Sequence, residues 1–193
     1  MKPSATLLAC LALATSGGCA TQVTEAPAIA VTYDPMEPTG AVAQLLAQAD
    51  SAQDEPRRLG QLIAALDSLG ARPLDAKADP LATWRAKAIM PGTTPPYRGR
   101  VLGPAYKAGI IDPGTSVRLP QLFDGGRAAR VAVATPEMEG LDFTVLDGEA
   151  KPVCPPAKAR NRQCTWTPLY SGRFEIVLKN PGDAAAGYYL VID

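Results

Sequence analysis

The 193-residue chain contains no histidine. That absence removes every mechanism that uses imidazole as the general base, and every zinc or haem site that needs an imidazole ligand. Two-carboxylate chemistry and a Ser–Lys pair stay open in principle, but no recognisable motif of either kind is present. An excess of one charge is missing too, with 19 Lys and Arg against 19 Asp and Glu. A chain so balanced lacks the electrostatic footprint of general nucleic-acid binding. Nor does any apolar run approach the roughly 20 residues of a transmembrane helix.

What is present starts at the amino terminus, MKPSATLLACLALATSGGCATQ. Lys2 supplies a short positive region, and Leu7 to Ala14 form an apolar run of eight residues. Small residues follow, the layout of a secretory signal over residues 1–19. Ser16-Gly17-Gly18-Cys19 resembles a bacterial lipobox. The resemblance implies that Cys19 is lipidated and becomes the first mature residue, and Ala20 after it implies sorting to the outer membrane. Ser16 departs from the aliphatic residue usual at that position. Ordinary cleavage after Gly18-Cys19-Ala20 is therefore the alternative, giving a soluble periplasmic or secreted protein. A lipid anchor would contribute about 0.8 kcal/mol per buried methylene.

Export also decides how the cysteines are read. Cys10 falls in the signal and Cys19 is the lipid candidate, which leaves Cys154 and Cys164. In an oxidising compartment such a pair is most simply a disulfide. Zinc would need further soft ligands that the mature chain lacks, so no metal or other cofactor is expected.

Residues 20–40 carry several prolines and few large apolar side chains, as a flexible tether would. Residues 41–92 read as a helical segment of two to three short helices. Val42, Leu45, Leu46 and Ala49 share helical spacing, and Leu59, Leu62, Ile63, Leu66 and Leu69 make a clear stripe. Asp54 is placed to cap that second helix, with Gly70 and Pro73 ending it. A third helix begins at Asp79-Pro80 and carries Leu81 and Trp84.

Residues 93–193 change to an alternating period, with runs around Val117–Leu119, Val131–Val133, Leu141–Val145, Phe174–Leu178 and Gly187–Ile192. Turns such as Asp147-Gly148 and Asn180-Pro181-Gly182 separate them. The expected fold is α+β, helices followed by an antiparallel, jelly-roll-like β-sandwich.

The order of LDFTVLD (141–147), Trp166 and Pro168, GRFEIVL (172–178), Asn180-Pro181-Gly182 and YYLV (188–191) resembles the bacterial pre-peptidase C-terminal domain. The likeness spans about residues 114–193. It implies a β-sandwich that binds or stabilises without catalysing. The two cysteines are not part of that family's usual pattern, and no protease domain accompanies the stretch.

Three groups are candidate sites. The loop VCPPAKARNRQC (153–164) sets Lys158, Arg160 and Arg162 on alternate positions. An extended backbone would point them to one side, with Lys151 just upstream, as an anion- or partner-binding patch. A solvated tip of a disulfide-closed hairpin is the plainer reading. Tyr97, Arg98, Arg100 and Tyr106, with Lys107, mix rings and cations in a way that suits glycan or peptide contacts. Packing across the junction of helices and sandwich, in an irregular edge segment, is the plainer reading. Asp142, Asp147 and Glu149 offer carboxylates, of which Asp147 is best explained as a turn former.

The resulting expectation is a non-catalytic envelope lipoprotein whose sandwich meets an envelope protein or acidic glycan. A hydrolase working through Asp142 or Glu175, or through Ser and Lys, is the competing enzyme. An accessory or inhibitor of a secreted protease is the third possibility.

Overall fold

The computed structural model describes residues 37–92, 103–136, 140–154, 157–159 and 161–193. Cys19, Tyr97, Arg98, Arg100 and Arg160 lie outside the described residues, as does the tether up to residue 36.

Helix α1 spans Pro38–Ser51, starting ahead of Ala41 because Pro38 is pre-set for the first helical turn. Helix α2 spans Pro56–Ser68. Its N-cap is Glu55 rather than the expected Asp54, and no side chain caps it; Pro56 opens the first turn, where a missing N–H costs nothing. Gly70 ends the helix at φ 69°. Its N–H donates to the Asp67 carbonyl at 3.0 Å, and the Ala71 N–H donates to that of Leu66 at 3.1 Å. This is a Schellman closure, and the left-handed residue is why glycine stands there. Helix α3 spans Pro80–Lys87, capped by Asp79, whose Oδ1 accepts the Leu81 N–H at 3.0 Å.

Two sheets make up the rest. The first has the order β1 (Arg72–Pro73), β2 (Ala105–Ile111), β9 (Ala186–Ile192), β4 (Ala129–Ala134), β7 (Asn161–Trp166). The second has the order β3 (Ser116–Phe123), β8 (Gly172–Lys179), β5 (Leu141–Leu146), β6 (Ala157–Ala159). All pairings are antiparallel except β1 with β2. The fold is thus α+β, as expected. The stretch read as an irregular edge segment is in its described part a regular strand, β2, in register with β9 along its whole length.

The middle strands of the first sheet, β4 and β9, are buried on both faces. On one side Tyr106, Ala132, Ala134, Tyr189 and Val191 pack with Leu45, Leu62, Trp84 and the other helical core residues. On the other, Ile111, Val131, Val133, Tyr188 and Leu190 face Phe143, Val145, Phe174, Ile176 and Leu178 of the second sheet. Helices, first sheet and second sheet form three layers around two cores. Ala132 and Ala134 are small where α1 crosses, which lets the helix approach the strand closely. The second sheet keeps its outer face in water, and β5 and β8 accordingly alternate buried and more exposed residues.

Cys154 and Cys164 form a disulfide with Cα atoms 5.9 Å apart. Cys154 follows the turn after β5, held there by Val153 N–H to the Val145 carbonyl at 2.9 Å. Cys164 lies on β7, opposite Val131 and fully buried. The expected hairpin tip is corrected here: β6 belongs to the second sheet and β7 to the first. The bridge therefore ties the two sheets together along one side of the sandwich.

Candidate functional site

The crossover also revises the basic loop. Lys158 stands opposite Asp142 in the β5–β6 register, and Arg162 opposite Val133 in the β4–β7 register. The two cations sit on strands of different sheets, so one extended backbone does not align them. Lys151 is exposed and pairs with Glu149 at 2.7 Å.

Tyr106 and Lys107 are the described members of the aromatic and cationic group, and Lys107 is exposed. Tyr106 is 1% exposed, so Tyr106 offers no face to a ligand. Its hydroxyl donates to Asp79 Oδ1 at 2.5 Å, the oxygen that also caps α3. Arg85 on α3 in turn grips Asp67 on α2 through two hydrogen bonds, Nη1 to Oδ2 at 3.0 Å and Nη2 to Oδ1 at 2.5 Å, which hold its pKa above the usual guanidinium value. Tyr106 thus joins the first sheet to the helical layer.

Burial, and then the Asp79 bond, push the Tyr106 phenol well above its ordinary pKa. Burial alone also raises Tyr188. A group whose folded pKa is raised contributes stability that is complete below the unfolded value, about 10 for tyrosine, and is lost as pH climbs beyond it. Stability should therefore fall above about pH 10, and Tyr106→Phe should make that fall shallower. Urea unfolding across the alkaline range measures it, with Tyr188 accounting for the remaining slope.

The carboxylates are also separated in role. Asp147 Oδ1 accepts the N–H groups of Glu149 and Lys151, both at 2.9 Å, the turn-forming task expected of it. Glu175 pairs with Arg118 at 2.5 Å across β8 and β3. Asp142 is opposite Lys179, four residues along β8 from Glu175. At about 3.3 Å per residue that separation is about 13 Å on a flat sheet face, wider than the roughly 5–9.5 Å of a glycosidase pair. The geometry does not assemble these two into a catalytic centre. Among the described residues no cluster of three potential metal ligands occurs either, and no helix is long and apolar enough to cross a membrane.

One end of the sandwich is different. A cleft of about 440 Å³ opens between the start of β1 and β2 and the end of β3. Phe123 forms part of its wall and belongs to an aromatic cluster with Trp166 and Phe174, ring centroids 4.8 and 5.7 Å away. Leu74 and Leu122 line the cleft at 46% and 62% exposure. Beside it, the turn at Gly125-Gly126 is tied to the loop 168–171: Gly125 N–H donates to Ser171 Oγ at 2.9 Å, and Gly126 N–H to the Pro168 carbonyl at 2.7 Å. That loop holds out Leu169 and Tyr170, 88% and 84% exposed.

This end therefore carries four of the seven large exposed hydrophobic residues described. Around them stand Arg72, Arg127 and Arg130. Arg127 pairs with Asp124 at 3.5 Å, and Arg130 contacts Glu37 at 3.5 Å and Asp193 at 3.7 Å. An apolar patch rimmed by arginines and by the carboxylates of Asp124 and Asp193 has the composition of a contact surface. Sequence reading missed it because T-P-L-Y-S-G looks like punctuation. The signal was there: two large apolar residues in a stretch otherwise made of turn formers.

The chain matches no protein family model, and no curated protein matches it. Several solved structures resemble part of it. The pre-peptidase C-terminal domain of collagenase from Bacillus anthracis is 9% identical, with 46% of this chain and 87% of that one covered, at a TM-score of 0.40. Aeromonas hydrophila PliG, a periplasmic inhibitor of g-type lysozyme, is 13% identical, covering 47% and 84%, at 0.37. The Yersinia pseudotuberculosis-derived mitogen is 14% identical, covering 47% and 84%, at 0.40.

Proposed function

We propose that the chain is an exported, non-catalytic binding module, held at the outer membrane through Cys19, that docks an envelope or secreted protein on the apolar end of its sandwich. The observation that carries this reading is the cluster of Leu74, Leu122, Leu169 and Tyr170 beside an arginine-rimmed cleft. Leucines held out into water at a sheet end add nothing to this fold's own cores, and their burial in a partner would be favourable. The rim mixes arginines with the carboxylates of Asp124 and Asp193, which favours a partner with charges of both signs around its own apolar contacts. Protein fits better than glycan, because among the described residues Tyr170 is the one exposed aromatic ring there and sugar stacking relies on such rings. The signal-like amino terminus and an oxidised cysteine pair both suit an envelope compartment.

Leu74→Asp with Leu122→Asp tests the reading. Retention of the partner on immobilised protein should fall by about tenfold or more, since hot-spot truncations cost 2 kcal/mol and upward, while the melting temperature stays within error. Undiminished retention would remove the patch from the account.

A further inference from the structure

We propose that the partner docked on the apolar end is a protein embedded in the membrane that holds Cys19, because the chain enters its fold at that same end. This rests on the reading above, in which Cys19 is the anchor and the apolar end is the contact surface.

Glu37, the first described residue, marks where the amino-terminal segment joins the body. Its carboxylate accepts from Gln163 Nε2 on β7 and lies 3.5 Å from Nε of Arg130. Arg130 lines the cleft of the apolar end, together with Ala105, where β2 begins, and Ile192, where β9 finishes. From Glu37, α1 runs away from that end. Asp50, near its last turn, lines a groove with Ile110 and Gly187. In the β2–β9 register Ala105 stands opposite Ile192, and Ile110 opposite Gly187, so cleft and groove mark the two ends of these strands. A 14-residue helix is about 21 Å long and a 7-residue strand about 23 Å. α1 therefore spans the sheet from the apolar end to the far one.

The length of the segment then limits what can sit at the apolar end. Residues 20–36 number 17, and a flexible linker of that length has a root-mean-square reach of about 20–25 Å. From Cys19 at the bilayer surface, that reach keeps Glu37, and with it the mouth of the cleft, close to the lipid. A soluble domain about 30 Å across does not fit that gap in the average arrangement. A protein embedded in the same bilayer presents its rim at the height of the cleft. Sharing one membrane also confines both partners and raises their effective concentration. The charge of the rim decides between such a protein and the lipid itself. Arg72, Arg127 and Arg130 stand with Asp124 and Asp193, and both Arg127 and Arg130 are paired with acidic side chains. An anionic bilayer attracts clusters of cations alone, whereas a rim of mixed sign matches a protein surface.

Photocrosslinking of the full anchored chain in living cells tests this, with the photoreactive residue at Leu122 and the adduct identified by mass spectrometry. The expected adduct joins the chain to a protein with membrane-spanning strands or helices. Deleting residues 24–31 shortens the mean reach of the linker to about 15–18 Å. The adduct yield should then stay within about twofold, because an embedded partner remains at the same height. A soluble partner, squeezed out as the gap closes, should instead lose about tenfold or more. Should the shortened chain fail to be exported, the identity of the adduct of the full-length chain decides alone. A partner that spans no membrane, a yield that collapses on shortening, or lipid in place of protein overturns the inference. The first two of these outcomes leave the docking surface standing. Absence of any adduct at 122 removes that surface itself, and the inference with it.

Discussion

Replacing Cys154 by Ser should lower unfolding stability by about 2–3 kcal/mol, the entropic value for a loop of this size. That corresponds to roughly 4–12 °C in melting temperature for a domain of this length. Cys154 is the informative partner to change. It is half-buried beside β5, whereas Cys164 sits in the inter-sheet core, where a serine hydroxyl would be stranded. The thiol left at position 164 behaves as a small apolar group and preserves the packing. Melting with and without reductant separates the causes. Wild type in reductant should melt like the variant in either condition, and a variant that loses further stability on reduction would place the effect elsewhere. Because the bridge ties β7 of one sheet to the end of β5 in the other, its loss should be felt at Trp166 on β7.

The second large effect tests the layering. Leu45→Ala should cost about 2–5 kcal/mol, the range for a buried leucine whose site cannot fully collapse. Leu45 is fully buried in the core between helices and first sheet. The two tryptophans report the two cores separately. Trp84 lies against Tyr189, ring centroids 6.0 Å apart, in the helix–sheet core. Trp166 packs with Phe123 and Phe174 in the inter-sheet core. With Trp84→Phe and Trp166→Phe as single-reporter backgrounds, Leu45→Ala should move both fluorescence transitions together. The reason is that both cores share the same strands: Tyr188 and Leu190 face one, Tyr189 and Val191 the other. A shift confined to the Trp84 signal would mean that the helical layer unfolds independently.

What could be read from the sequence follows from how many faces each element buries. The stripe from Leu59 to Leu69 and the closing Gly70 announced α2, because one side of that helix meets water. β5 and β8 were legible for the same reason, their outer faces being solvated. β4 was recognised as a strand, but the run does not tell that Ala132, between two valines, is itself buried beneath the helices. β2 was missed, since its buried and exposed residues do not alternate and Lys107 and Gly109 interrupt the run. β7 was missed because an edge strand can be polar, and N-R-Q-C-T-W hides one core cysteine among exposed residues.

The sites divided similarly. Pairing of Cys154 with Cys164 was legible, since reading the amino terminus as an export signal leaves two cysteines and few uses for them. The path between them was not: nothing local says that the chain changes sheets there. Tyr106 packs across the junction of helices and sandwich, as the structural reading of its stretch had it, but its partner Asp79 is far along the chain and one sequence gives no sign of that contact. The apolar end went unseen because its members come from β1, β3 and the loop before β8, and only the fold gathers them.

The most direct test of the central claim is site-specific photocrosslinking in living cells. A photoreactive residue at Leu122 should yield a discrete adduct with one envelope or secreted protein, and the same residue at Arg57, exposed on α2 in the helical layer, should yield none. Absence of an adduct at 122, or equal adducts at both positions, would contradict a docking surface at the apolar end of the sandwich.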